Sequence, residues 1–295
     1  MLSKSTLLHL RLPFSYFLLP AYLFALGISP NLSEKNLLWS FLIIHFLLYP
    51  ASNGYNSYFD KDQKSIGGLK NPPPVTRDLY YISILLDVLA IVLSLIYINS
   101  GFAILVFVYG LVSKAYSHPS IRLKKYPIAG WLTVVLFQGA FTFLMCYEGI
   151  NALPFENLLH SKVVQSAALT SLLLCGSYPL TQVYQHEEDN LHGDRTMSIL
   201  LGVKGTFYFA LLFFSLAVAC FVWYFQQFFS MQWAVIFLLF LIPVLIYFTV
   251  WFALVVKNTR KASHSLAMWQ NFVAATCLNG FFVYFFIETS HILQL

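Results

Sequence analysis

Nine stretches of about 20 mostly apolar residues fill this 295-residue chain, near 13–29, 36–58, 79–98, 101–118, 128–147, 163–186, 205–227, 232–256 and 264–288. Each is long enough to cross a bilayer as a helix. Hydrocarbon offers the backbone no hydrogen-bond partners, so such stretches must be helices that satisfy their own amides. Only 10% of residues are charged, against roughly a quarter in soluble domains. The reading is an all-α polytopic membrane protein, a bundle of about nine transmembrane helices around a lipid-accessible central cavity. It forms a single domain over 1–295 with no soluble part.

The basic residues test that count independently. With the N-terminus in the cytoplasm, the cytoplasmic segments hold Lys4 and Arg11; Lys61, Lys64, Lys70 and Arg77; Lys114, Arg122, Lys124 and Lys125; Arg195 and Lys204; and Lys257, Arg260 and Lys261. Only Lys35 and Lys162 fall outside, the asymmetry expected of a membrane protein. The C-terminal "SHILQL" is then expected outside. The net charge of +5 reports this topology and the lipid bilayer, not a nucleic-acid partner. The N-terminal apolar run lacks a small-residue cleavage site, so it reads as a retained first helix.

Seven of the 12 acidic residues lie in two cytoplasmic loops: Asp60, Asp62 and Asp78 after the second helix, and Glu187, Glu188, Asp189 and Asp194 after the sixth. Both loops follow a helix that turns polar at its end. In "NGYNSYFDKD", Asn53, Asn56 and Asp60 recur at i, i+3 and i+7 and share one helical face. In "TQVYQHEEDNLHGDRT", Thr181, Gln185 and Asp189 recur at i, i+4 and i+8, on the assumption that the sixth helix continues through them. Glu188, three residues beyond Gln185, points roughly the same way.

Two oxygen-rich stripes converging at the mouth of a bundle suit Mg2+, which prefers carboxylates, carbonyls, water and substrate phosphates. A diphosphate is its natural partner. Cations stand close in sequence to contact one: Lys64, Arg195, and Arg122, Lys124 and Lys125 in "YSHPSIRLKK". A charged loop at a membrane surface is ordinarily only solvated; it is the pairing of two such loops that points to a site.

Other features carry less. Cys146, Cys175, Cys220 and Cys277 lie inside predicted spans without metal-ligand spacing, which argues against zinc and disulfides. Asp87, inside the third helix, is either a functional intramembrane carboxylate or the partner of a neighbouring helix. The aromatic residues, 18% of the chain, could stabilise a carbocation, but none is singled out.

On these residues the chain resembles the UbiA superfamily of intramembrane prenyltransferases. The family's first motif, approximately N-D-x-x-D-x-x-x-D, falls on "NSYFDKDQK" at Asn56 and Asp60; Lys64 stands where the last aspartate belongs, with Asp62 as a substitute. The second motif, approximately D-x-x-x-D-x-x-x-G-x-x-T, falls on "QHEEDNLHGDRT" at Asp189, Gly193 and Thr196, with Gln185 replacing its first aspartate and Glu188 as a compensating carboxylate. Tyr116, Pro119 and the following basic residues resemble the family's segment after the fourth helix.

The resemblance implies a nine-helix bundle and transfer of an isoprenyl group from an isoprenyl diphosphate donor to a hydrophobic or aromatic acceptor, a quinone precursor among the candidates. Asp60 and Asp189 are the implied catalytic pair, holding Mg2+ together with Asn56, Asp62, Gln185 and Glu188. Asn53, Tyr116, Arg122, Lys124, Lys125 and Arg195 are the implied substrate contacts. Two other classes fit part of the pattern: a catalytically degenerate member acting in binding or assembly, favoured by Lys64 and Gln185, and an ion-coupled transporter, disfavoured because its carboxylates would sit near the midplane.

Overall fold

The computed structural model describes residues 3–290, and these are almost entirely helical. The only strand-type pairing among them is an isolated bridge between Ile66 and Leu69. Among the described residues, eight helices are long and apolar enough to cross a membrane: α2 (Glu34–Asp60), α3 (Arg77–Tyr97), α4 (Ser100–Ser117), α5 (Pro127–Asn151), α6 (Ser161–Leu180), α7 (Met197–Phe228), α8 (Met231–Lys257) and α9 (His264–Ser290). A bent pair, Lys4–Phe17 with Leu19–Gly27, supplies α1 and brings the count to nine. The outer surface carries large exposed apolar side chains, among them Leu85, Ile96, Leu212, Leu239 and Ile246, as expected of a lipid-facing belt.

The helix boundaries have local causes. Ser33 caps α2 by accepting from the Asn36 amide, and Asn99 caps α4 by accepting from Phe102 at 2.7 Å. At its far end α2 stops because Lys61 adopts φ +52°, a left-handed conformation that ends a helix. Two helices widen: α2 over Ile43–Leu48 and α5 over Val135–Phe141 run as π-helix. In α5 the Ser171 side chain of α6 serves the widened turn, accepting from the Ala140 amide at 2.8 Å and donating to the Val135 carbonyl at 2.7 Å. A Cβ on Gly139 would lie 2.6 Å from Ser171 Cα, so only glycine permits this crossing.

Three boundaries differ from those read in the sequence. The first span is not one helix over 13–29: it bends by 40° after a left-handed Arg11 and a 3-10 turn. The sixth ends at Leu180, not 186. Pro179 lies in its last turn, and the amides of Thr181 and Gln182 reach back only three residues, to Tyr178 and Pro179, which tightens the chain into turns. Thr181, Gln185 and Asp189 therefore do not share a helical face; Gln185 instead precedes a separate short helix, His186–Leu191. The seventh begins at Met197 and breaks at Gly202, where φ is +67° and ψ 167°. Lys114, counted above with loop cations, lies inside α4.

An aromatic core closes one half of the bundle. Phe24, Phe143, Phe221, Tyr224, Phe225, Phe237, Phe281, Phe282 and Phe285 are fully or nearly fully buried and pack edge to face and stacked. The acidic loops lie at the opposite end, where the bundle stays open. The α1 entry helix is fastened there too, with Thr6 Oγ1 donating to Asp78 Oδ2 at 2.6 Å and the His9 ring bonded to the Pro73 carbonyl at 2.8 Å. Asp78 is thus occupied in holding α1. The last residues, 291–295, on which the expectation for the C-terminus falls, lie outside those described.

Candidate active site

A cavity of about 410 Å³ opens at the loop end. Its inner wall is apolar, with Phe137, Leu173, Leu174, Phe214, Val244, Phe248 and Leu278; its mouth is polar, with Arg11, Asn56, Asp60, Asp62, Lys124, Gln185, Asp189 and Asp194. A groove between α1 and α9, walled by Leu8, Trp269 and Phe272, shares Arg11, Phe14, Phe17 and Met268 with this cavity.

The mouth is built by three loops. Asp60 is the last residue of α2, and Asn56 and Asn53 line the cavity one and two turns further in, respectively. Asn56 donates to Ser117 Oγ at 2.9 Å, which leaves its carbonyl oxygen as an acceptor. The loop between α4 and α5 delivers two cations: Lys124 Nζ lies 2.5 Å from Asp60 Oδ2 and 3.5 Å from Asp194 Oδ2. Arg122 donates through Nε and Nη2 to both oxygens of Asp194, each at 2.8 Å, and reaches Asp60 Oδ1 at 3.4 Å. The third loop turns at Gly193, φ +70°, so that the Asp194 amide donates to the Asp189 carbonyl at 2.8 Å.

Asp189 is short of positive charge. Burial pushes its carboxyl up to about 7; Lys124 pulls it down, and Asp194, Asp62 and Asp60 push it further up. The same combination of burial and Asp60, opposed by Lys124 and His192, raises Asp62 to about 6. Carboxylates crowded in this way are what a bound cation relieves. The donors facing the mouth are oxygens of carboxylates and amides, the set that suits Mg2+, so the residues present fit that ion.

Of the residues singled out in the sequence, Asn53, Asn56, Asp60, Asp62, Tyr116, Lys124, Gln185 and Asp189 line the cavity. Tyr116 shares a hydroxyl–hydroxyl hydrogen bond with Tyr178, whose hydroxyl also accepts from Gln182 at 3.0 Å. Arg122 stands behind the mouth, clamping Asp60 and Asp194. Glu188 does not stand beside Gln185 as the helical-face argument expected: it turns to the first loop, accepting from the Gln63 amide at 2.8 Å. Lys125 and Arg195 are exposed, joined only through the Arg195 amide and the Lys125 carbonyl at 3.0 Å. Lys64 also points outward and pairs with Glu187. Sequence reasoning missed Asp194, Arg11 and Tyr178. Asp194 was visible between Gly193 and Thr196 of the second motif; Arg11, which donates to the Gly67 and Asn53 carbonyls at 3.1 and 3.2 Å, gave only a topology signal.

The fold is that of an integral-membrane helical bundle with a charged mouth on an apolar cavity. The UbiA prenyltransferase family model matches residues 14–274, and the chain belongs to that family. It is similar in fold to digeranylgeranylglyceryl phosphate synthase (21% identity, 96% of this chain and 98% of that one, TM-score 0.62). It is also similar to a UbiA homologue from Archaeoglobus fulgidus solved with DMAPP and Mg2+ and with GPP and Mg2+ (17% identity, 96% and 99% covered, TM-score 0.66). No curated protein sequence matches it.

Proposed function

We propose that this prenyltransferase transfers an isoprenyl group from an isoprenyl diphosphate to a hydrophobic acceptor, with Mg2+ held at the mouth and the reaction sheltered in the cavity. The observation that carries the reading is the junction itself: carboxylates and cations at one end of a cavity whose depth is apolar. An amphipathic anion fits that junction. Family membership and the Mg2+ and isoprenyl diphosphates bound by the Archaeoglobus homologue support it.

Asp60, Asp189, Asn56 and Gln185 would hold the ion. Mg2+ bound there would supply charge neutralisation to the departing diphosphate. Lys124, already at the mouth, and Arg122 behind it contribute further positive charge to the diphosphate oxygens. Asn53 and the Tyr116 hydroxyl offer neutral hydrogen bonds along the wall. Phe137, Leu173, Phe214, Val244 and Phe248 receive the hydrocarbon chain and exclude water, so that the allylic cation formed when the C–O bond breaks meets the acceptor before it meets water. The acceptor's carbon or oxygen then forms the new bond and loses its proton to the departed diphosphate. The polar ends of this reaction stay at the mouth, as a transporter's midplane site would not require.

The test is release of diphosphate from dimethylallyl, geranyl and geranylgeranyl diphosphates by the purified protein, with Mg2+ and with chelator. Metal-dependent release is expected. Binding of the diphosphates without release under any condition would establish the degenerate alternative instead.

A further inference from the structure

At the rim of the mouth, Asp62 and two loop groups that do not line the main cavity form a second cluster. Asp62, Glu188 and His192 each offer one ligand atom, and the three atoms lie within 4.8 Å of one another. Asp62 comes from the loop after α2, Glu188 from the first turn of the short helix His186–Leu191, and His192 is the residue that follows that helix. The left-handed Lys61 turns the chain back at this point, while Lys64 goes outward to Glu187.

The cluster is short of donors. Glu188 is only 8% exposed, yet among the described residues the Gln63 amide is the one donor that reaches its carboxylate. The Asp62 side chain, 14% exposed, accepts no hydrogen bond from any described residue; His192 Nδ1, at 3.7 Å, is beyond hydrogen-bond range. Lys124, whose charge acts on Asp62, is engaged by Asp60 and Asp194. Two carboxylates held together in a mostly dehydrated place repel unless a cation lies between them.

We propose that Asp62, Glu188 and His192 bind a divalent transition metal ion of the zinc type, at a site separate from the one formed by Asp60 and Asp189. The ligand chemistry makes the distinction. Mg2+ is served by oxygen, whereas an imidazole nitrogen with two carboxylates suits zinc or ferrous iron and leaves coordination positions open. A cation here ties the loop after α2 to the loop after α6 across the mouth. The exposed Lys64–Glu187 pair makes the same connection only weakly.

Cobalt(II) is the probe. The full-length protein, purified in detergent and stripped with chelator, is titrated with Co2+ in the presence of excess Mg2+. One equivalent should bind with a visible d–d absorption band that Zn2+ abolishes by displacement. His192→Gln and, separately, Glu188→Gln should lose the band, each with helical circular dichroism retained, whereas Asp189→Asn should keep it. The proposal is overturned if no Co2+ binds under Mg2+, if His192→Gln and Glu188→Gln both keep the band, or if Asp189→Asn abolishes it. Because the measurement uses no diphosphate and no turnover, its failure is distinct from failure of the prenyl-transfer reading.

Discussion

Asp189 shows how one buried carboxylate can work against the fold. Its folded pKa, about 7, lies above the ordinary aspartate value of about 3.9. Between those values the folded metal-free protein holds a proton that the unfolded chain has lost, so stability falls as pH rises through that window. The midpoint of thermal unfolding, measured with chelator present, should therefore drop between pH 5 and pH 8. Asp189→Asn, which cannot ionise, should flatten this slope and raise the midpoint at pH 8 above that of the natural protein, while abolishing Mg2+-dependent turnover. An unchanged slope together with normal turnover would remove Asp189 from the site.

At the scale of helices, α3 and α4 are joined by an ion pair inside the membrane. Lys114 Nζ bonds Asp87, and the two side chains are only 18% and 13% exposed. The ammonium also lies 5.0 Å from the centre of the Tyr55 ring on α2. Gly110 on α4 faces the same carboxylate. Removing one partner strands a buried charge, which costs about 3–5 kcal/mol, whereas replacing both by apolar groups can be close to neutral. Asp87→Leu and Lys114→Met should each lower the unfolding midpoint sharply, and the double variant should recover most of the loss. Additive losses would show that the pair is not a coupled unit. The sequence left Asp87 between a functional and a structural role; its partner Lys114 had been read only as one of the cytoplasmic-side basic residues.

For the whole molecule, the arrangement of ends is testable. The entry helix of α1 and both acidic loops lie at one end, tied through Thr6 and Asp78, while Phe285 near the close of α9 packs where a Cβ on Gly27 would touch it, at the other. Combined with the basic asymmetry of the loops, this arrangement predicts a cytoplasmic mouth and an end of α9 on the outside. Reporter fusions within 62–76 and after Leu295 should report opposite sides of the membrane. Both on one side would require an even number of crossings between the two positions, where α3 to α9 supply seven.

The number of helices, the end at which they open and the face of α2 that carries Asn53, Asn56 and Asp60 were already determined by the sequence. The physical reason is that each is a local property: hydrocarbon length fixes a span, and a 3.6-residue period fixes a face as long as the helix continues. Where Pro179 ended the helix, the same arithmetic misplaced Glu188, because beyond Leu180 the direction of a side chain depends on turns and on what the neighbouring loop offers. Only the tertiary structure decided that Asp194, Arg122 and Lys124 form one charged clamp with Asp60, that Arg11 reaches the mouth, and that His192 joins Asp62. These groups come from segments far apart in the chain, and no spacing along it encodes a contact made by packing nine helices together. The departures at Lys64 and Gln185 make the same point. The sequence shows which residues stand there, but the fold decides that Lys64 leaves the cavity while Gln185 stays on its wall.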